Sequence, residues 1–153
     1  MFRNHKLIEI DGVPLIIRED LVLPYQHLND FPNCCGPGEG LWNMLVMDTF
    51  WMLRMSAACC LHDDDYANAE PTKEAFDACN ARFMYNMESI INCRTKFWIL
   101  KRLRMRKAKI YLYAVKSKQA FKRCFWSLKI KQKYEGLWEG FELPSMKQTF
   151  WGG

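Results

Sequence analysis

The sequence predicts a mainly α protein with a small β-hairpin at its N-terminus. Apolar residues recur at three- and four-residue steps over residues 73–93, which is typical of an amphipathic helix. Two short apolar runs at about residues 6–18 flank Asp11 and Gly12, a dipeptide that favours a tight hairpin turn. The chain has 153 residues, half of them hydrophobic, which is enough for one domain with a real core.

The central part of the chain predicts two antiparallel helices. The stretch after the hairpin is predicted as loop because it is punctuated by Pro24, Pro32 and Pro37. A long helix is expected over residues 47–68, with Asp48 as its N-cap, and a second over 73–93, capped by Thr72. A short proline-containing connection joins the two, so they should pack as antiparallel neighbours.

The C-terminal third is predicted as a basic helical arm followed by an irregular tail. Residues 96–116 have helical apolar spacing, and a further helix is expected at about 118–131. Residues 134–153 contain Gly, Pro and aromatic clusters and should dock irregularly. We therefore expect a single domain over residues 1–133, with a core motif at 34–93 and the basic arm at 94–133.

Charge is distributed unevenly along the chain. Residues 1–93 carry a net charge of −8, whereas 94–133 carry 15 basic residues and no acidic one. The arm could pair with the acidic body of the protein, lie on an anionic phospholipid membrane surface, or bind a phosphate backbone, in that order of preference. We expect an anionic partner at 94–133 and no specific nucleic acid.

The cysteines and the hydropathy profile indicate a cytosolic protein. The N-terminus lacks an apolar stretch of signal-peptide length, so the seven cysteines should be thiols, although adjacent pairs could bridge in an oxidising space. The most apolar window, residues 41–61, contains Asp48 and Arg54, each costing about 2.5–3.5 kcal/mol at a bilayer centre, which disfavours a transmembrane helix. A zinc site is disfavoured because Cys59, Cys60 and His62 lack a second ligand cluster.

Residues that can carry chemistry cluster in "CCGPGEG" (residues 34–40) and "ACCLHDDDY" (58–66). On a helix, His62 and Tyr66 share a face, and Asp63 follows His62 directly. Histidine is a natural general base near neutral pH, and a carboxylate suits Ca²⁺ or Mg²⁺. The glycines of the first stretch permit backbone conformations that turn carbonyl oxygens towards a cation.

These two stretches resemble a known family. "CGPG" followed by "CC-x-HD-x-x-Y" is similar to the calcium loop and catalytic helix of the secreted and viral phospholipases A2. In the parvovirus capsid domains of that family the loop also contains G-P-G and the bridging cysteines are absent. The resemblance covers residues 34–83. The aromatic and basic stretch at 97–106 and the segment 111–116 also look like parts of small tailed-phage proteins of this fold type.

The resemblance implies a fold of two antiparallel catalytic helices beside a calcium loop, and it implies a role for each site residue. His62 would deprotonate a water, Asp77 on the second helix would orient its imidazole, and Tyr66 would hydrogen-bond that carboxylate. Ca²⁺ would activate the ester carbonyl, assisted by the N–H of Gly36, and its ligands would be the Asp63 carboxylate and the main-chain carbonyls of Cys34, Gly36 and Gly38.

The sequence departs from the family pattern in three places. One residue, not two, separates Cys60 from His62, so that Cys59 takes the loop-bridging position and a Cys35–Cys59 bridge is permitted. Asp65 replaces the cysteine before the tyrosine, and Asp64 and Asp65 are expected on a solvated helix face. The span between loop and helix is longer than usual, which would provide either a lipid-facing flap or a longer helix.

The resulting expectation is a calcium-dependent phospholipase A2-type hydrolase, encoded by a phage. It would act from the host cytoplasm, peripheral at the inner bacterial membrane. One alternative is a catalytically silent relative that binds a host partner or polyanion through the basic arm. Another is a metal phosphohydrolase of the HD type, for which His27 would have to supply a further ligand.

Overall fold

The computed structural model describes residues 5–32, 49–117 and 120–121, and over these ranges the protein is mainly helical. A small antiparallel β-hairpin stands at the N-terminus, as predicted. The 34–40 loop, the 134–153 tail and all of the predicted 118–131 helix except Ala120 and Phe121 lie outside the described residues. In chain order the elements are β1 (His5–Ile10), β2 (Val13–Arg18), a 3-10 turn (Leu28–Asp30), β3 (Thr49–Phe50), β4 (Leu53–Arg54), α1 (Ser56–Asn68), α2 (Lys73–Arg94) and α3 (Trp98–Val115).

The N-terminal hairpin turns at the predicted dipeptide. Asp11 and Gly12 both have positive φ, 52° and 77°, and the strands pair from Ile10 opposite Val13 outward. Positive φ at both central residues is the pattern of a two-residue hairpin turn, for which Asp-Gly is a preferred pair. Alternate residues of β2 are buried, so this strand supplies one wall of the core through Val13, Leu15 and Ile17.

A side chain of α2 hydrogen-bonds the backbone of the first hairpin. Asn86, 2% exposed, donates from Nδ2 to the carbonyl of Ile16 at 3.0 Å and accepts from the Ile16 N–H at 2.8 Å. The amide therefore satisfies both backbone groups of a residue in β2, as a neighbouring strand would.

The two central helices are antiparallel, as predicted. Thr72 caps α2 by accepting from the Ala75 N–H at 3.1 Å, and the connection from α1 contains Pro71. Contacts between the helices run in reverse order, with Tyr66 packing on Phe76 and His62 on Phe83. This arrangement brings the face of α1 that carries His62 and Tyr66 against α2.

The start of the first helix differs from the prediction. α1 begins at Ser56, and residues 49–54 form a second hairpin instead of continuing a helix from residue 47. The proposed cap, Asp48, lies outside the described residues. Arg104 of α3 accounts for the difference, because its guanidinium donates to the carbonyls of Phe50 and Trp51 and stabilises the turn. The predicted 96–116 helix is confirmed as α3.

Within residues 5–32, 49–117 and 120–121, no helix is both long enough and apolar enough to cross a membrane.

Candidate functional site

His62 and Tyr66 converge on Asn80, across the interface of α1 and α2. The His62 Nε2 lies 2.9 Å from the Asn80 Oδ1, and the Tyr66 hydroxyl donates to the same oxygen at 2.8 Å. All three residues are buried, and Asn80 is completely so. An oxygen acceptor at Nε2 requires the proton to be on Nε2, which leaves the lone pair on Nδ1. Within the described part of the chain nothing hydrogen-bonds Nδ1, so it is the atom that can accept a proton.

Aromatic rings enclose the imidazole. His62 stacks on Phe83 with ring centroids 4.3 Å apart, and Tyr66 lies against it at 4.0 Å. Burial among these rings lowers the pKa of His62 to about 4, and the hydrogen bond to Asn80 only partly opposes that effect. The imidazole is therefore neutral at pH 7, in the state that a general base needs.

Asp77 does not occupy the position that the resemblance implied. Its carboxylate accepts from Lys73 Nζ at 2.6 Å, one turn away on the same helix, and its side chain is 46% exposed. The His62 imidazole is instead hydrogen-bonded to Asn80, three residues later. The assignment of Asp77 as the orienting group is thus wrong, because its position on α2 directs the side chain to solvent.

Asn80 is the site residue that sequence reasoning missed. A signal was present, since a fully polar side chain stands in the apolar strip that faces α1, between Phe76, Phe83 and Met87. A polar residue in such a strip needs a buried partner. The family resemblance implies a carboxylate at this place, whereas Asn80 carries an amide.

The amide of Asn80 is incompletely satisfied. In the described part of the molecule its Nδ2 is buried and has no hydrogen-bond partner. Leaving a buried donor unpaired costs about 1–3 kcal/mol. The surroundings of Asn80 therefore favour a group that only accepts hydrogen bonds, as a carboxylate does.

Asp63 stands next to His62 at the protein surface. Although part of the residue is exposed, partial desolvation of the carboxyl by the surrounding protein raises its pKa to about 6. Among the described residues no hydrogen-bond donor or cation pairs with Asp63. A carboxylate whose charge is not compensated by protein groups fits a role as cation ligand.

The other two aspartates of the run make tertiary ion pairs. The expectation of a solvated face is wrong for the buried Asp65, whereas the Asp64 side chain is 25% exposed and so partly solvated. Arg18 of β2 contacts both carboxylate oxygens of Asp64, at 3.1 and 3.3 Å. Asp65 is 8% exposed and is paired with Arg82 at 2.7 Å and His5 at 3.1 Å. The hairpin and α2 supply these partners, so the run is covered on one side by tertiary contacts.

The remaining predicted calcium ligands, Cys34, Gly36 and Gly38, lie outside the described residues. Over the ranges that the structure describes, no group of three or more His, Cys, Asp or Glu side chains is placed to hold a metal ion. Of the predicted calcium ligands, Asp63 is therefore the one that lies within the described residues.

Disulfide bonds flank the site on α1. Cys59 and Cys60 are both disulfide-bonded, in contrast to the thiols expected for the cytosol, whereas Cys79 and Cys93 are thiols. The Cys60 sulfur also lies 3.4 Å from the Pro32 carbonyl, and since a disulfide sulfur has no proton to donate, this is a contact only. The start of α1 is thus covalently fixed.

His27 contacts a carboxylate of the first hairpin. Its Nδ1 lies 2.8 Å from the Asp11 carboxylate in the turn of the first hairpin, and the pair raises the pKa of His27. This contact gives no support to the phosphohydrolase alternative, in which His27 would join His62 at a metal.

Comparison of the chain with protein families, with characterised proteins and with solved structures finds no match.

Proposed function

We propose that the protein is a calcium-dependent hydrolase of the phospholipase A2 type, which cleaves an acyl ester of a glycerophospholipid. The observation that carries this proposal is the hydrogen bond from His62 Nε2 to Asn80 Oδ1, reinforced by Tyr66, which leaves Nδ1 as the base. Asp63, adjacent to this base and without a protein partner in the described ranges, supports a cation site beside it.

The chemistry follows from the tautomer of His62. Nδ1 takes a proton from a water molecule as its oxygen attacks the ester carbonyl, and the imidazolium then returns the proton to the departing alcohol oxygen. Asn80 and Tyr66 hold the ring so that Nδ1 stays in position. A Ca²⁺ ion bound by Asp63 and the 34–38 loop would supply a Lewis acid for the ester carbonyl. If the resemblance to phage proteins holds for its location too, the reaction would take place at the host's inner membrane, approached from the cytoplasm.

Catalysis by this site should be slow compared with a histidine paired with a carboxylate. Bases work best when their pKa lies near the operating pH, and the pKa of His62 is lowered to about 4. A neutral amide also stabilises the imidazolium less than an aspartate would. These two facts favour the second candidate, a catalytically silent protein that keeps the scaffold and binds a partner.

Release of fatty acid from phospholipid vesicles, with Ca²⁺ or with EGTA, tests the proposal. We expect calcium-dependent release that falls by at least about 100-fold in His62→Gln, because general-base catalysis contributes about 10²–10⁴. Asp63→Asn should abolish the response to calcium. Asp77→Asn is the matched control, an exposed carboxylate changed to an amide, and should retain activity.

Two outcomes would contradict the proposal, one for the reaction and one for the base. A folded wild-type protein that releases no fatty acid and shows no calcium binding by calorimetry would reject the hydrolase. Equal release by wild type and His62→Gln would reject the assigned base.

A further inference from the structure

The two sides of α3 differ in burial. The inner side carries Arg104, Ala108 and Tyr111, which are buried and recur at steps of four and three residues, and α3 packs on α2. The opposite side is exposed, although it carries large apolar residues such as Ile110, 65% exposed, and Tyr113, 82% exposed. Packing within the described part of the chain therefore does not explain why these residues are apolar.

The exposed side of α3 has the spacing of a coiled-coil interface. Ile99, Leu103, Arg106, Ile110 and Tyr113 follow one another at steps of four, three, four and three residues, and all five are exposed. This repeat averages 3.5 residues and keeps one row of side chains directed at a second helix. We call the row formed by these five residues the α3 seam.

A row of basic residues runs beside the α3 seam. Arg102, Lys109 and Lys116 are exposed and recur at intervals of seven residues, which is the spacing of the charged positions that flank a coiled-coil interface. α3 itself contains no acidic residue. Within the described ranges none of these three side chains pairs with a carboxylate. The positive charge along this side is thus not compensated there.

We infer that the α3 seam binds an acidic amphipathic helix of a protein partner. Apolar residues of the partner pack on Leu103 and Ile110, a carboxylate pairs with Arg106, and further carboxylates pair with Arg102 and Lys109. Because the inner side of α3 is already packed on α2, this helix is formed before binding, which reduces the entropy lost on association. The inference goes beyond the proposed hydrolase and uses none of its residues.

The position of Arg106 favours a helix over a lipid surface. A helix that lies on a bilayer keeps its charged residues on the side away from the acyl chains. Arg106 instead lies within the apolar row, between Leu103 and Ile110. A single polar residue at such a position is a known means of fixing the register and the partner of a paired helix.

Nucleic acid and a second copy of the chain fit the α3 seam less well. Contacts to phosphates use basic side chains but would leave Leu103 and Ile110 without apolar neighbours. Two α3 helices side by side would place Arg102 and Lys109 of one copy against basic residues of the other, because α3 has no acidic residue. Like charges facing each other across an interface are unfavourable.

Binding of a synthetic helical peptide to the full chain tests the inference. The peptide is about three heptads long, with Leu at its apolar positions, one Glu at the centre of its seam and Glu at both flanking positions. The matched control peptide has Gln in place of every Glu. Calorimetry in EGTA without lipid should show the Glu peptide binding at least tenfold more tightly than the Gln peptide, with an affinity that falls as salt is added.

Variants of the α3 seam separate a specific interface from general attraction to positive charge. Arg106→Glu should weaken binding of the Glu peptide at least tenfold, and a peptide with Lys at the central position should restore it. Leu103→Ser/Ile110→Ser should also weaken binding at least tenfold. Val22→Ser, which removes an 87% exposed apolar side chain outside α3, should leave binding unchanged. The changed residues are exposed, so thermal unfolding should occur at the wild-type temperature in every variant.

The inference is overturned if the wild type does not bind the Glu peptide, if the Gln peptide binds equally well, or if Arg106→Glu binds like the wild type. Binding of anionic vesicles or of a single-stranded oligonucleotide that is lost in Leu103→Ser/Ile110→Ser, without peptide binding, would identify lipid or nucleic acid as the occupant. Self-association in sedimentation equilibrium that the same variant abolishes would identify a second copy.

The chain's own acidic C-terminal residues are the remaining occupant to be tested. Glu135, Glu139 and Glu142 are the acidic residues that follow the basic arm in the sequence. Peptide binding that is absent in the wild type and gained in Glu135→Gln/Glu139→Gln/Glu142→Gln would overturn the inference in favour of this segment. Since the assay contains neither lipid nor free calcium, none of these outcomes depends on whether the protein is a hydrolase.

Discussion

Asn80 is the residue that hydrogen-bonds the imidazole of the candidate site. An amide oxygen orients His62 through the same hydrogen bond that a carboxylate would accept, so the ring position and the tautomer do not require a charge. What the amide lacks is the negative charge that favours the protonated ring. Burial is therefore left as the main influence on the pKa of His62.

Changing Asn80→Asp should raise the pKa of His62 from about 4 by about 1–3, because an opposite charge within a few ångströms favours the imidazolium. Fatty-acid release at pH 7 should rise at least tenfold. NMR titration of the His62 ring measures the pKa and identifies the protonated nitrogen. Asp77→Asn serves as the control and should shift neither quantity. A pKa that stays near 4 in Asn80→Asp would contradict the electrostatic account.

The lowered pKa of His62 also predicts a dependence of stability on pH. The unfolded chain binds a proton at about pH 6.5 and the folded chain only at about 4, so between these values the unfolded state holds more protons. Relative to His62→Gln, the unfolding free energy of the wild type should be constant above pH 6.5 and fall by up to about 3 kcal/mol as the pH drops to 4. Urea denaturation in EGTA across this range measures it, and parallel curves for the two proteins would exclude a buried neutral His62.

At the scale of elements, the β1–β2 hairpin is held to the helices by a polar contact inside an apolar interface. Val13, Leu15 and Ile17 supply the burial, but apolar packing alone tolerates sliding of a two-stranded hairpin along a helix. The Asn86 amide matches both backbone groups of Ile16 and so fixes one position of β2 on α2.

Replacing Asn86→Ala should reduce the unfolding free energy by about 2–4 kcal/mol, because it leaves the N–H and carbonyl of Ile16 unpaired and opens a small cavity. Chemical denaturation measures the loss. Asn92→Ala, at an exposed position of the same helix, is the matched control and should cost less than about 0.5 kcal/mol. Similar losses in both variants would show that the contact to Ile16 is dispensable.

At the scale of the whole molecule, the aspartate run of α1 joins three parts of the structure. Asp64 pairs with Arg18 of β2, while Asp65 pairs with His5 of β1 and Arg82 of α2. The partners of both aspartates lie within residues 1–93, the part of the chain that carries the net negative charge.

Asp64 and Asp65 should contribute differently to the free energy of unfolding. Asp65→Asn removes the charge of a buried carboxylate that serves two partners, and should cost about 2–3 kcal/mol, less than for a fully buried pair because Arg82 reaches solvent. Asp64→Asn should cost less than about 1 kcal/mol, since its side chain is 25% exposed. Thermal unfolding of the two variants side by side measures the difference, and an equal cost would place both at the surface.

Much of the fold was predictable because local signals agreed with tertiary packing. The Asp-Gly turn, the Thr72 cap and the apolar spacing of α2 each depend on residues close in sequence, and the structure has all three. The predicted helix over residues 47–68 was wrong at its start, because Arg104, some fifty residues later in the chain, stabilises a hairpin there. No local pattern contains that information.

In the candidate site, too, some relations follow from the sequence and others only from tertiary packing. The sequence by itself determined that His62 and Tyr66 share one face of a helix, that Asp63 is adjacent, and that a second helix returns alongside, because helical periodicity fixes these relations. Only the tertiary structure decided which residue of α2 meets the imidazole. One turn of a helix separates Asp77, at the surface beside Lys73, from Asn80, buried against His62, and the rotation of α2 about its axis is set by packing of its whole apolar strip on α1 and β2.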